Sequence, residues 1–222
     1  LCKDFNIPET IGEAWLTFEQ LNNTALFDVH ALHPRYGIGG ADFSSTTDLT
    51  AAVVLFMLPN DPHIYVMAMF WLPEELLERR VREDRIPYDL WKDQGYLRTC
   101  EGNKVRQKDV TDWFLEVQND LDCYIYRGGY DAWSASYWVD EMQETFGKGV
   151  FTPVQQTMKV LSLPMKQLGA DFDSKLIVYN NNPVLKWCLA NTGIVEDKNG
   201  NIKPNKTSKA RKRIDGLAAL LD

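Results

Sequence analysis

The hydrophobic pattern opens with three nearly continuous apolar runs. They cover about Tyr36–Phe43, Leu49–Leu58 and His63–Leu72, and the segment PNDP separates the second from the third. Runs of this length are typical of strands covered on both faces, and Pro-Asn-Asp-Pro has strong turn chemistry. The pattern therefore predicts a three-stranded meander.

Downstream, helical periodicity alternates with further strands. Helices are predicted in LPEELLERRVRED from Pro73, in YDLWKD, over Gln107–Asp120, in AWSASYWVDEMQETFG closed by Gly147, in TPVQQTMKVLSLPMKQLGAD with a bend or break at Pro164, in NPVLKWCLANTG and around RIDGLAALLD. A long strand, DCYIYRGGYD, is predicted to end at Asp131, a short edge strand follows the Gly turn after YDLWKDQ, and VEDKNGNIKP predicts a hairpin with Asn-Gly at its tip. This order predicts an α/β fold with a mixed sheet and helices on both faces.

The chain divides into a leading segment and one domain. Residues 1–34 are predicted to carry one or two short helices, and residues 35–222 to form the domain. The first residue is not Met, so we expect a piece of a longer protein. The longest apolar stretches have about ten residues, so we expect neither a membrane span nor a signal peptide.

Composition and cysteine usage indicate a globular protein with reduced thiols. Hydrophobic residues make up 45% and charged residues 25% of the 222 positions, which is globular composition. The four cysteines form no CxxC pair and the three histidines lack zinc-site spacing, so we predict reduced thiols, three of them in the core, in a cytosolic protein. The cysteines are Cys2, Cys100, Cys123 and Cys188, and the histidines are His30, His33 and His63.

Three aspartates occupy the ends of predicted elements. Asp42 closes the first strand, Asp131 closes the fourth long strand, and Asp215 lies on the last helix. Sites gather where the ends of neighbouring strands meet, so we hypothesise that the three carboxylates converge at one edge of the sheet. The alternative for each one alone is an ordinary turn former or helix cap.

Converging carboxylates need a positive partner, because otherwise at least one of them holds a proton. Mg²⁺ and Mn²⁺ prefer oxygen ligands, and two such ions can activate water and stabilise the leaving oxygen in phosphodiester hydrolysis. The pattern therefore favours a metal-dependent phosphodiesterase.

A cationic run precedes the third acid. The net charge is -7, yet KNGNIKPNKTSKARKR (residues 198–213) holds seven Lys or Arg and no acid. Phosphate contacts supply much of the affinity for DNA, so this run is predicted either to bind the DNA backbone or to form a solvated loop. The predicted contacts are Lys203, Lys206, Lys209, Arg211, Lys212 and Arg213.

Other chemistry is weakly supported. The four hydroxyl-bearing residues at 44–47 could supply a nucleophile, but no histidine occurs in a plausible partner motif. No GxxxxGK[ST] motif occurs either, so we expect no ATP site in this chain. Trp133 and Trp138 are at helical spacing and are predicted to be core residues rather than base-stacking platforms.

At these motifs the sequence resembles the C-terminal nuclease domain of the terminase large subunit of tailed bacteriophages. GGADFSSTTDLTA is similar to the family's first strand, and FWLPEELLERR with PYDLWKDQGYLRTCEGNKV is similar to its Leu-Pro-Glu and Tyr-x-x-Trp-x-x-x-Gly signature. GYDAWSA and RIDGLAALL resemble the segments that bear its second and third acids.

The resemblance implies a ribonuclease-H-like fold with about five core strands. It implies that Asp42, Asp131 and Asp215 are catalytic ligands of two Mg²⁺ or Mn²⁺ ions, with Asp48 as an auxiliary acid. The implied enzyme is an endodeoxyribonuclease that cuts concatemeric viral DNA during genome packaging in the host bacterial cytoplasm. Residues 1–34 would then be the linker after an ATPase domain that is absent here.

Double-stranded DNA is the implied substrate, and the small terminase subunit, portal and procapsid are the implied partners. We expect the isolated domain to be monomeric and away from membranes. Two alternatives stay open: another ribonuclease-H-like nuclease, either a junction resolvase or a hybrid-cleaving enzyme, or a largely inactive docking module for the portal or small terminase.

Overall fold

The computed structural model describes residues 14–43, 49–132, 138–206 and 213–222. The strands are β1 Tyr36–Asp42, β2 Thr50–Phe56, β3 Ile64–Pro73, β4 Leu97–Cys100, β5 Tyr124–Asp131, β6 Phe151–Val154, β7 Ile177–Val178, β8 Thr192–Glu196 and β9 Ile202–Lys206. The helices are α1 Phe18–Leu21, α2 Val29–Leu32, α3 Glu74–Asp84, α4 Tyr88–Asp93, α5 Gln107–Asp120, α6 Trp138–Phe146, α7 Met158–Asp173, α8 Pro183–Ala190 and α9 Asp215–Leu221.

A seven-stranded mixed sheet organises the described residues. Its order is β4-β3-β2-β1-β5-β6, and β7 also pairs with β3. Strands β1, β2 and β3 form the predicted antiparallel meander, whereas β5 is parallel to β1 and β6 is parallel to β5. The five strands β3-β2-β1-β5-β6 make the predicted core, and β4 and β7 add short parallel partners to the two ends of β3.

Each face of the sheet carries its own hydrophobic core. Residues of α5 and α6 pack on one face, where Phe114, Trp138 and Phe146 contact Phe151 of the edge strand β6. Residues of α4, α7, α8 and α9 pack on the other face. This arrangement confirms the predicted mixed sheet with helices on both sides, and it confirms Trp138 as a core residue; Trp133 lies outside the described residues.

One local prediction was wrong, and a break predicted at Pro164 does not occur. The segment predicted to begin a helix at Thr152 instead forms edge strand β6 before α7 starts at Met158. Helix α7 then runs through Pro164 without a break. Pro164 faces solvent while Leu161 and Met165 are buried, so packing of the buried side holds the helix on both sides of the missing N–H.

The described part of the leading segment packs on the domain. The main-chain N–H of Trp15 donates to the carbonyl of Thr192 at 2.8 Å, and Leu16 and Leu21 belong to the core beneath α7 and α8. The predicted short helices are α1 and α2.

Two further predictions concern the cysteines and a short hairpin. Cys100, Cys123 and Cys188 are free, buried thiols as predicted, and Cys2 lies outside the described residues. The hairpin of β8 and β9 is also confirmed, with Gly200 at positive φ in its tip. Among the described residues, no helix is long and apolar enough to cross a membrane.

Candidate active site

Two of the predicted acids end neighbouring parallel strands. Strand β1 pairs with β5 so that Ala41 lies beside Tyr130. The next residues, Asp42 and Asp131, therefore lie side by side at the C-terminal ends of these two strands. Ala41 and Tyr130 point into the core of α5 and α6. Because side chains alternate along a strand, both aspartates face the opposite side, where α9 packs.

A pair of glycines brings α9 onto this part of the sheet. Gly40 and Gly129 are paired across β1 and β5, each two residues before its aspartate. A Cβ atom on Gly40 would lie 2.0 Å from the carbonyl oxygen of Ala219, and one on Gly129 would lie 1.8 Å from the main-chain oxygen of Asp222. Only glycine permits this approach, so the sequence places the helix backbone directly against the strands that end in the acids.

The third predicted acid, Asp215, is the first residue of α9 and is 5% exposed. Burial raises the pKa of Asp42 well above its ordinary value, and the charges of Asp215, Asp222 and Asp131 raise it further. Lys206 at the end of β9 acts in the opposite direction. The structure therefore brings the three predicted acids into one electrostatic neighbourhood.

Asp222 is a fourth acid of this neighbourhood and was not among the acids predicted from the sequence. It follows α9, seven residues and nearly two helical turns after Asp215, so both lie on a similar side of the helix. Gln156 Nε2 donates to Asp222 Oδ1 at 2.7 Å. Burial raises the pKa of Asp222 from 3.8 to about 7, the charge of Asp131 adds to the rise, and the hydrogen bond from Gln156 opposes it. The seven-residue spacing was the available signal.

The donor set fits a hard divalent cation. The charges of three further aspartates and of Lys206 act on Asp42, and carboxylate oxygens are the ligands that Mg²⁺ and Mn²⁺ prefer. In the described ranges, no three His, Cys, Asp or Glu side chains already stand close enough together to hold an ion.

The predicted cationic run divides into parts with different surroundings. Lys203 and Lys206 lie on β9, where Lys203 is half-buried and Lys206 is exposed. Lys209, Arg211 and Lys212 lie outside the described residues, as does the predicted auxiliary acid Asp48.

The predicted DNA contact of Arg213 is corrected by its burial. Its side chain is 6% exposed, and Nη2 lies 3.5 Å from Oδ2 of Asp84, whose side chain is 2% exposed. The hydroxyl of Tyr88 donates to the same carboxylate oxygen at 3.1 Å. This guanidinium is thus engaged inside the protein and does not face the solvent, where DNA would lie.

Comparisons with known proteins agree with the family and fold expected from the sequence. The family "Terminase large subunit, endonuclease domain" matches residues 1–222. The terminase large subunit of Enterobacteria phage HK97 is 32% identical over 191 residues, which cover 84% of this chain and 36% of that protein. The chain thus spans little more than a third of the length of that relative.

Solved structures show the same fold. The crystal structure of the HK97 bacteriophage large terminase superposes with a TM-score of 0.79 at 27% identity, covering 94% of this chain and 42% of that one. The large terminase nuclease domain of bacteriophage SPP1 with bound Mn gives a TM-score of 0.52 at 16% identity, covering 90% of this chain and 92% of that one. With a family match over its whole length, this chain belongs to the terminase large subunit family, as an endonuclease domain with a ribonuclease-H-like fold.

Proposed function

We propose that this domain is a Mg²⁺- or Mn²⁺-dependent endodeoxyribonuclease that cuts concatemeric viral DNA into genome lengths during packaging. The observation that carries the proposal is the paired strand ends, Asp42 beside Asp131, facing Asp215 of α9 on one side of the sheet. The bound Mn of the SPP1 domain supports a divalent cation in this family.

Asp42, Asp131 and Asp215 are the proposed ligands, and Asp222 adds a fourth carboxylate to the same neighbourhood. When bound, a pair of divalent ions would supply an activated water and neutralise charge on the leaving oxygen. Gln156 orients Asp222 through its 2.7 Å hydrogen bond, and Lys206 supplies positive charge beside Asp42. Asp48 keeps its proposed auxiliary role.

The proposed substrate is duplex DNA, whose phosphates meet Lys203 and Lys206 on β9 together with Lys209, Arg211 and Lys212. By family, the proposed partners are the small terminase subunit, portal and procapsid in the host bacterial cytoplasm, with residues 1–34 following a packaging ATPase. The isolated domain is proposed to be a monomer that cuts DNA without translocating it.

Plasmid cleavage in Mn²⁺ tests the proposal. The wild-type domain is expected to nick and linearise plasmid, and Asp42→Asn and Asp131→Asn are expected to reduce cutting to background. Asp140→Asn, an exposed acid on α6, is the matched control and should cut like wild type. Undiminished cutting by both site variants would remove these carboxylates from the mechanism.

Two further assays separate the alternatives. Equal or faster cleavage of four-way junctions or RNA–DNA hybrids than of linear duplex would favour another ribonuclease-H-like activity. Failure to bind millimolar Mn²⁺ in calorimetry would favour a docking module.

A further inference from the structure

We propose that the buried ion pair between Asp84 and Arg213 is a positioning device for Asp215, an inference that rests on the proposed function. The pair joins the C-terminal end of α3 to the residue two positions before Asp215. Two residues span at most about 7 Å of chain, so a displacement of Arg213 passes directly to the start of α9.

The geometry of the pair fixes both side chains. Asp84 Oδ2 accepts from Tyr88 at 3.1 Å and lies 3.5 Å from Arg213 Nη2, with both charged side chains nearly inaccessible to water. Charges removed from water are costly to leave unpaired, so neither side chain can swing away alone without a large penalty.

Two more contacts hold the same point of the chain. Asn191 Nδ2 donates to the main-chain carbonyl of Arg213 at 3.3 Å. After Asp215, a Cβ atom on Gly216 would lie 3.0 Å from Leu185 and 3.1 Å from Phe70, so the helix start is closely packed. The segment around Asp215 is therefore held by the side-chain ion pair of Arg213, by the hydrogen bond to the main-chain carbonyl of Arg213 and by the close packing of Gly216.

The ion pair also ties Asp215 to the α3–α4 corner. Tyr88 begins α4, and its ring contacts those of Trp91 and Trp187 at 5.6 and 5.9 Å. The three rings form an aromatic cluster in which both Tyr88 and Trp91 are fully buried. We infer that the LPEELLERR and YDLWKD segments serve the site by anchoring Arg213 and, through it, Asp215.

Replacing the charged pair with an apolar pair should have different effects depending on whether the pair has a purely structural role or positions Asp215. Buried ion pairs can often be replaced by apolar side chains of similar size without loss of stability. Groups that orient metal ligands from outside the ligand shell, in contrast, typically change metal affinity by 10–100-fold when they are removed. The double variant Asp84→Leu/Arg213→Met therefore separates a purely structural role from a positioning role.

The experiment measures thermal stability, Mn²⁺ affinity by calorimetry and plasmid cleavage on the same proteins. The double variant is expected to melt near the wild-type temperature, to bind Mn²⁺ at least about tenfold more weakly and to need correspondingly more Mn²⁺ for half-maximal cleavage. The control is Arg98→Met/Glu116→Leu, which removes an exposed pair between β4 and α5, and its Mn²⁺ affinity should be unchanged.

Milder variants keep the test decisive if the double variant does not fold. Arg213→Lys keeps the charge but loses the planar fork, and Tyr88→Phe removes only the hydroxyl bound to Asp84. Each should weaken Mn²⁺ binding severalfold while the protein stays folded. Wild-type Mn²⁺ affinity and Mn²⁺ dependence in the folded variants would overturn the positioning role. Absence of Mn²⁺ binding and cutting in the wild type would instead overturn the proposed function.

Discussion

Gly40 of the central strand β1 lies directly beneath the carbonyl oxygen of Ala219 in α9, so close that a Cβ atom would come within 2.0 Å of it. The next residue of β1 on the same face is Asp42. The contact thus sets how closely the helix that carries Asp215 approaches the strand that carries Asp42, and it depends on a single missing methyl group.

Replacing this glycine should separate helix and sheet. Because the clash in Gly40→Ala is with backbone, the variant is expected to lose about 3 kcal/mol of unfolding free energy, at the upper end of overpacking effects. Urea denaturation measures the loss. Gly149→Ala is the control: its φ is +78° and a Cβ atom there meets nothing within 4 Å, so the expected cost is only about 1 kcal/mol of backbone strain. Equal losses in both variants would show that the contact with α9 is unimportant.

The acid cluster predicts an unusual pH dependence in the absence of metal. The folded protein raises the pKa of Asp222 from 3.8 to about 7 and also raises that of Asp42, mainly by burial. The native state therefore binds more protons than the unfolded chain between pH 4 and 7, and this site's contribution to stability falls as the pH rises through that window. Denaturation in EDTA at several pH values measures the effect. Asp222→Asn should flatten the decline, and an unchanged slope would contradict the assignment.

Gln156 should tune the titration of Asp222. Its amide donates to Oδ1 at 2.7 Å and opposes the rise of the pKa, because it stabilises the ionised form. Gln156→Leu is therefore expected to move the pKa of Asp222 above about 7, measured by NMR titration of the carboxyl carbon. Gln167→Leu, which loses a hydrogen bond to Asp171 on the exposed side of α7, should leave the titration unchanged. A lower pKa in Gln156→Leu would be the contrary result.

Breaking the buried ion pair of Arg213 and Asp84 should cost more unfolding free energy than breaking the exposed pair of Arg98 and Glu116. Arg213→Met leaves Asp84 buried without its cation, and the expected loss of unfolding free energy is about 3–5 kcal/mol. Arg98→Met breaks a pair whose side chains are 40% and 45% exposed, and the expected loss is at most about 1 kcal/mol. Chemical denaturation of the two variants measures both values. Similar losses would show that Arg213 and Asp84 are solvated in solution.

Sequence patterns predicted the centre of this fold well. Strands β1, β2 and β3 are long apolar runs, a composition typical of strands covered on both faces. Edge strands are harder to predict, because they can tolerate residues that a central strand excludes. Strand β6 contains Pro153 and was predicted as helix, since a sequence alone does not show that it lies at the sheet edge. Strand β7 has two residues, too few for any periodicity.

The site was predictable where it follows strand ends and unpredictable where it depends on packing. Asp42 and Asp131 follow from the alternation of strands and turns. Arg213 belongs to a run of cations, and nothing local shows that it turns inward to an aspartate 129 positions earlier in the chain. Asp222 is likewise ordinary in sequence and becomes part of the site only because Gly129 lets α9 end above β5.

The most direct test of the central claim is a crystal structure of the domain soaked in Mn²⁺, with the ions located by their anomalous scattering. We expect Mn²⁺ to be bound by carboxylate oxygens of Asp42, Asp131 and Asp215 at about 2.1–2.2 Å, near the distance typical of hard divalent ions of this size. Mn²⁺ bound elsewhere on the domain, or a fully soaked crystal in which these three side chains share no ion, would contradict it.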